Sequence, residues 1–321
     1  MRRRFGRTEL RVSPLCQGTA FRTLPRADVP EARRVLARAL EIGVNFFDSS
    51  NAYGWGGAEE VLGKAIAGQR EGVVICTKVA ASLAPEKEGG KPQPARFTHE
   101  YLFAQAEGSL RRMGTDYIDL YLLHQPDKVT PAAAIAEAMA ELAESGRVRY
   151  WGVSNHSGTQ LSEYLELKPR VPLAGIEEYY NIAGEHLDSE GNSRVAKLEQ
   201  EVFPLVRQAG LGVLAFSPQD TGHLAPERTP PPGSPLEGLV KALDRVAGEL
   251  GVTRPQVCIA WGLARSEVSC VLAGAESPQQ VEENWAGAQL ALPPQALEVL
   301  EEARQVYRKG QQEAKRYSEP Q

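Results

Sequence analysis

From residue 15 onward the chain repeats one pattern: a short apolar run, an amphipathic stretch, a glycine, then the next apolar run. The runs are Leu15–Gly18, Val44–Phe47, Val73–Cys76, Ile118–Leu122, Arg149–Val153, Ala174–Glu177, Gly212–Ala215 and Ser269–Leu272. Most are apolar throughout rather than alternating, which predicts strands covered on both faces of a parallel sheet. The stretches between them carry helical spacing. In "PEARRVLARALEIG", Val35, Leu36, Ala39 and Leu40 share one face between Pro30 and Gly43. In "THEYLFAQAEGSLRRMG", Leu102, Ala106, Leu110 and Met113 do the same between Thr98, an N-cap candidate, and Gly114. Proline at the start and glycine at the end is the asymmetry of a helix. "PAAAIAEAMAELAESG", "KLEQEVFPLVRQAG" and "PLEGLVKALDRVAGELG" repeat the design, each closing on glycine. A hairpin candidate precedes the series: Arg3–Phe5, a turn at Gly6-Arg7, then Leu10–Val12.

Eight strands alternating with about eight helices predict a (β/α)8 TIM barrel with an N-terminal β-hairpin. The competing architecture is a doubly wound open sheet; no run reads as an edge strand, which favours closure. The expectation is one domain over residues 1–321, with a polar, frayed tail from about Lys309. Three long segments follow strands: Ser82–Arg96, Ala183–Arg194 and Asp220–Pro235. In a barrel they lie on the face that holds substrate.

Composition narrows the function classes. The chain has 321 residues, 42% hydrophobic and 24% charged, with a formal charge of -5, which weighs against a nucleic-acid partner. No apolar run approaches the roughly 18 residues of a membrane span, and the basic N-terminus lacks the apolar run of a signal peptide. The four cysteines form no CxxC pair and read as buried thiols of a cytoplasmic protein. The histidines show no HxxxH or HExxH spacing, so no metal is expected.

The strand ends carry the chemistry. The second strand ends in Asp48, the third in Thr77-Lys78 and the fourth in His124; the fifth ends in Ser154-Asn155, and the sixth in Glu177. Tyr53 follows Asp48 on the next loop. In a closed barrel these ends converge on one mouth. A phenol is a weak acid, with pKa about 10, and a neighbouring ammonium favours its ionised form. Lys78 offers that ammonium, Asp48 a carboxylate to hold it, and His124 a donor to orient an oxygen. This set suits proton transfer to a carbonyl oxygen, and a cofactor must bring the hydride. "GWGG" (Gly54–Gly57), "GAEEVLGK" and "GVSNHSG" have the wrong spacings for a dinucleotide loop, a P-loop and a nucleophile elbow.

With these residues in view, the chain resembles the aldo-keto reductases. The matching motifs are "GVNFFDSSNAYG", "EEVLGKAI", "TK" at Thr77-Lys78, "SLRRMGTDYIDLYLLHQPD", "WGVSN", "FSP" and "GAESPQQVEEN", spread in order from Gly18 to Asn284. The resemblance implies a catalytic tetrad of Asp48, Tyr53, Lys78 and His124, with Tyr53 as general acid, and NADP(H) as cofactor. It implies a cofactor strip beginning at Gly18, Thr19 and Asp48. Ser154, Asn155 and Glu177 would hold the nicotinamide carboxamide, and Phe216 would stack on its ring. Ser217 and Pro218 would follow the pyrophosphate, and Gly274, Ala275, Gln280, Glu283 and Asn284 would line the adenosine end. Ala20, Phe21 and Trp55 would shape the pocket of a small-molecule carbonyl substrate.

The chain departs from the family pattern at several of these positions. Glu177 stands where glutamine is usual, and a carboxylate cannot donate unless protonated. Phe216 replaces tyrosine or tryptophan, Ser49-Ser50 replaces threonine-alanine, and Ala273 replaces a frequent proline. Gln280 sits where many members place an arginine on the 2′-phosphate, with Glu276 close by, so NAD(H) or dual use stays open. Two other functions stay open as well: a Schiff-base enzyme acting through Lys78, and a non-catalytic or redox-sensing NADP-binding regulatory subunit of the same fold. The expected state is a monomer or weak homo-oligomer.

Overall fold

The computed structural model describes residues 2–21, 30–80, 96–127, 129–184 and 193–318. Two short strands, β1 (Arg3–Arg4) and β2 (Arg11–Val12), pair antiparallel. Eight parallel strands then close into a barrel: β3 (Leu15–Gly18), β4 (Phe46–Asp48), β5 (Val74–Val79), β6 (Ile118–Leu123), β7 (Val148–Ser154), β8 (Gly175–Tyr179), β9 (Gly212–Phe216) and β10 (Cys270–Ala273), with β10 hydrogen-bonded to β3. Closure removes both edges, and the open-sheet alternative falls.

Between the strands lie α1 (Pro30–Glu41), α2 (Gly57–Ala65), α3 (His99–Met113), α4 (Ala132–Glu144), α5 (Gly158–Glu166), α6 (Arg194–Lys197), α7 (Phe203–Ala209), α8 (Pro235–Leu250) and α9 (Arg254–Leu263). After β10 come α10 (Pro278–Gln289) and α11 (Pro294–Ser318). The expected stripes are buried: Val35, Leu36 and Ala39 on α1, and Leu102, Ala106 and Met113 on α3. Thr98 accepts from the Tyr101 backbone N–H as N-cap, and Gly114 takes the left-handed backbone at the C-cap. Two sequence expectations need correction. "KLEQEVFPLVRQAG" is not one regular helix: Pro204 has no N–H to donate one turn back, and a π turn at Leu198–Val202 joins α6 to α7. The chain beyond Lys309 is helical to Ser318, as the last part of α11. Of the long segments, most of Ser82–Arg96 and of Ala183–Arg194 lies outside the described residues.

Strand periodicity explains the layering inside the barrel. Alternate residues face inward. Three neighbouring strands carry glycine at inward positions, Gly152, Gly175 and Gly212. A Cβ on Gly175 or Gly212 would lie 2.4 Å from the Phe5 ring, so these glycines make the hole that Phe5 of the hairpin fills. Above Phe5 sits a layer of Cys16, Phe46, Cys76, Leu120, Leu122, Leu214 and Leu272. On four of the strands the next inward position is polar: Asp48 above Phe46, Lys78 above Cys76, Ser154 above Gly152 and Glu177 above Gly175. The outward set, including Phe47, Ile75, Tyr121, Trp151 and Ile176, packs under the helices. The barrel is thus plugged at its N-terminal end, and its polar groups gather at the C-terminal mouth.

Candidate active site at the barrel mouth

Four strands and one turn bring the polar groups together. The Lys78 ammonium is fully buried and donates to Asp48 Oδ2 at 2.5 Å and to Glu177 Oε2 at 3.1 Å. Asp48 is held from behind, where its backbone carbonyl accepts from the Thr19 amide and hydroxyl. Cys76 Sγ lies 4.0 Å from Glu177 Oε2. Asp48, Cys76 and Glu177 are close enough for their atoms to share a cation, and the Lys78 ammonium fills that place. Burial pushes the Cys76 thiol well above its ordinary range, which keeps it neutral and unreactive.

Tyr53 opens a 3-10 turn, Tyr53–Gly56, in which Gly54 and Trp55 both take left-handed backbone. This turn carries the ring back over the barrel, with Lys78 Nζ 5.3 Å from the ring centroid. Burial raises the phenol above its usual pKa; Lys78 acts against this, while Asp48 and Glu177 add to it. His124, just past β6, meets the Tyr53 ring edge-on at 5.6 Å. Burial and then the Lys78 charge pull its pKa down to about 3, so the imidazole is neutral. Ser50 Oγ lies 3.1 Å from His124 Nδ1. Asp48, Lys78, His124 and Tyr53 thus meet in one cluster.

The other residues tied to the resemblance lie along consecutive strand ends. Gly18 ends β3 and pairs with Asp48 in register. Asn155 takes φ +60°, and its Nδ2 donates to Ser154 Oγ and to the His124 carbonyl. Its Oδ1 accepts from Arg194 at 2.6 Å. Half-buried Phe216 ends β9, and Ser217, at φ +61°, starts the next loop with Pro218. Asp220 and Thr221 in that loop are also left-handed, and the Tyr179 hydroxyl donates to the buried Asp220 carboxylate. Gly274 is open on its Cβ side, Ala275 is buried, and Asn284 Nδ2 donates to the Gly274 carbonyl. Gln280 in the first turn of α10 accepts from the Glu276 amide and is exposed; Glu283 is half-buried. Phe21 packs into the core, whereas Trp55 is 50% exposed.

The contacts of four residues are not legible in the sequence. Glu177, which the family resemblance ties to a carboxamide, hydrogen-bonds Lys78 in this structure; its signal in the sequence is an acid at an inward strand position in register with Ser154. Ser50 carries a hydroxyl to His124, and Ser49 Oγ lies 2.9 Å from Thr19 Oγ1. Glu178 points outward from the barrel, where it accepts from the His156 amide and lies 3.7 Å from Arg194.

The sequence profile of the Aldo/keto reductase family matches residues 14–305. The chain belongs to the aldo/keto reductase family. An "Uncharacterized oxidoreductase YrpG" of Bacillus subtilis (strain 168) is 33% identical over 92% of this chain and 93% of its own length. A "Probable voltage-gated potassium channel subunit beta" of Oryza sativa subsp. japonica is 31% identical over 92% of this chain and 94% of its own. Among solved structures, the holo form of aldo-keto reductase AKR11C1 from Bacillus halodurans superposes with TM-score 0.76 at 28% identity, covering 94% of this chain and 95% of that one. The (β/α)8 barrel and its added N-terminal hairpin agree with this placement. No helix among the described residues is long and apolar enough to cross a membrane.

Proposed function

We propose that this aldo/keto reductase reduces aldehydes or ketones to alcohols with NAD(P)H, NADPH being preferred, and that Tyr53 is the proton donor. One observation carries the reading: a fully buried ammonium, Lys78, anchored by Asp48 and lying under the Tyr53 ring. The residues along the mouth suit a nicotinamide dinucleotide. Ser154 and Asn155 offer neutral polar groups, Phe216 an aromatic face, and the open Cβ side of Gly274 room beside the N-terminus of α10, where anionic groups are favoured. When bound, such a cofactor supplies a hydride to the carbonyl carbon.

The protein's own residues then handle the proton. The phenolic O–H of Tyr53 gives its proton to the carbonyl oxygen, so that the former carbonyl becomes an alcohol. Lys78 stabilises the phenolate that remains until solvent returns the proton. Neutral His124 faces the same oxygen and orients it. The four free, buried thiols fit a reducing cytoplasm, where we place the protein as a monomer or weak homo-oligomer.

The test is a panel of aldehydes and ketones with NADPH and NADH, read as loss of reduced-cofactor absorbance. Tyr53→Phe should lower kcat/KM by about 100- to 10,000-fold and leave cofactor affinity nearly unchanged. Retention of most activity in Tyr53→Phe would reject the proton donor, and a strong NADH preference would reject NADPH. A second reading has its own support in the relative described as a channel subunit beta: a regulatory protein that binds cofactor. Tight cofactor binding with no turnover across the panel would favour it.

A further inference from the structure

Two carboxylates reach one buried ammonium. Asp48 and Glu177 come from strands on opposite sides of the barrel, and both contact Lys78 Nζ, at 2.5 and 3.1 Å. Their side chains are 2% and 4% exposed, and that of Lys78 is 0% exposed. If every group carried its ordinary charge, the cluster would hold a net negative charge out of contact with water.

The groups packed around it do not compensate. From β5, Cys76 presents a neutral thiol; from β3, Cys16 presents another, and burial pushes both well above the ordinary thiol range. From the turn after β4 comes a neutral phenol, Tyr53, and from the end of β6 a neutral imidazole, His124. Two guanidinium groups nearby in the fold are engaged with other acids: Arg112 binds Glu59 at 2.7 Å, and Arg194 lies beside Glu178 on the outer face of β8. Isolated buried charge is costly, and two carboxylates sharing a site do not both ionise readily.

We propose that Asp48 and Glu177 share one proton across the Lys78 ammonium, so that Glu177 is a positioning residue that sets the acid strength of Tyr53. Burial and the Asp48 charge both hold the Glu177 carboxyl well above the usual carboxylate range. While the proton is present, the cluster is neutral and the Lys78 charge is not divided between two anions. Tyr53 is then the stronger acid. When the proton leaves, a second negative charge beside Lys78 weakens Tyr53 as a donor, and reduction slows on the basic side. The shared proton belongs to the pair, with one apparent pKa for its loss.

The kinetic part of this inference rests on the proposed reductase activity, whereas the protonation part does not. Infrared difference spectra of the full chain without cofactor, wild type minus Glu177→Gln, should show at neutral pH a carboxylic-acid C=O band that shifts on 13C-glutamate or 13C-aspartate labelling; the difference removes the band of buried Glu178, whose carboxyl burial raises to about 8. Asp48→Asn should also abolish it, because the remaining carboxylate then matches Lys78 charge for charge. Absence of the band from the wild type, or its survival in Asp48→Asn, overturns the shared proton. In carbonyl reduction, Glu177→Gln should move the basic limb of the kcat–pH profile upward by about one to three pH units. An unmoved basic limb overturns the role in setting Tyr53. An inactive protein that shows the band would reject the reductase reading and leave the shared proton standing.

Discussion

At the scale of single residues, one hydroxyl, that of Ser50, bears on which nitrogen of His124 carries the proton. Ser50 Oγ lies 3.1 Å from His124 Nδ1 and 3.3 Å from the Lys78 carbonyl, and it also accepts from the Ala52 amide. Its proton can go to the Lys78 carbonyl or to Nδ1; in the second arrangement Nε2 of the neutral ring is left as an N–H donor, the form needed to hold a carbonyl oxygen. Ser50→Ala would free the ring to take the other tautomer. The loss of one such hydrogen bond is worth about 1 kcal/mol, so kcat should fall by roughly five-fold. Steady-state kinetics on Ser50→Ala, with 15N NMR of the histidine tautomer, checks this; unchanged kcat with unchanged tautomer rejects it. The hydroxyl was visible in the sequence as Ser49-Ser50 in place of threonine-alanine, but its partner was not. A partner 74 residues away is a property of the closed barrel, in which the chain after β4 and the end of β6 meet across β5.

At the scale of elements, the period of the strands made the site legible and the turns limited what could be read. Short apolar runs placed all eight barrel strands within two residues of their ends at most positions. The polar residues at those ends were therefore readable as one mouth. What periodicity cannot give is which inward neighbour a polar side chain chooses. The apolar run ends at Glu177, yet β8 continues to Tyr179, and the Glu177 carboxylate reaches Lys78. The π turn before α7 and the left-handed residues after β9 depend on tertiary support, as do the bonds from Tyr179 to Asp220 and from Asn181 to the Ser217 carbonyl. The hairpin plug offers a sharp test of the layered interior. A methyl group at Gly212 would sit 2.4 Å from the Phe5 ring, between strands that cannot spread. Gly212→Ala should destabilise the fold by about 1–3 kcal/mol through overpacking. Its partner change Phe5→Leu should recover part of that loss in the double variant, which a urea-unfolding double-mutant cycle measures. Strict additivity would show that the ring and the glycine do not meet.

For the whole molecule, the closed barrel divides its mouth into two arcs. The proton-handling groups come from β4, β5 and β6, with Glu177 reaching across from β8, and the other residues suited to a dinucleotide come from β7 through β10, which closes back onto β3. A ligand laid along the second arc would bridge strands β7 to β10 and α10, and none of that surface exists in the unfolded chain. Binding to the folded state alone must then stabilise the entire cooperative unit. At a ligand concentration 100 times its Kd the gain is about 2.7 kcal/mol, enough to raise Tm by several degrees. Thermal unfolding with NADPH, NADP+ and NADH measures it without any turnover. A rise with the phosphorylated pair that exceeds the rise with NADH at equal concentration supports the NADPH preference. The reverse order would reassign Gln280 and Glu276 to a ribose that lacks the 2′-phosphate. Tyr53→Phe should show the same rise as the wild type, because the phenol belongs to the first arc and the proposed cofactor site to the second. Loss of the rise in that variant would mean that the two arcs are not separable, and that the phenol holds the cofactor instead of protonating the substrate.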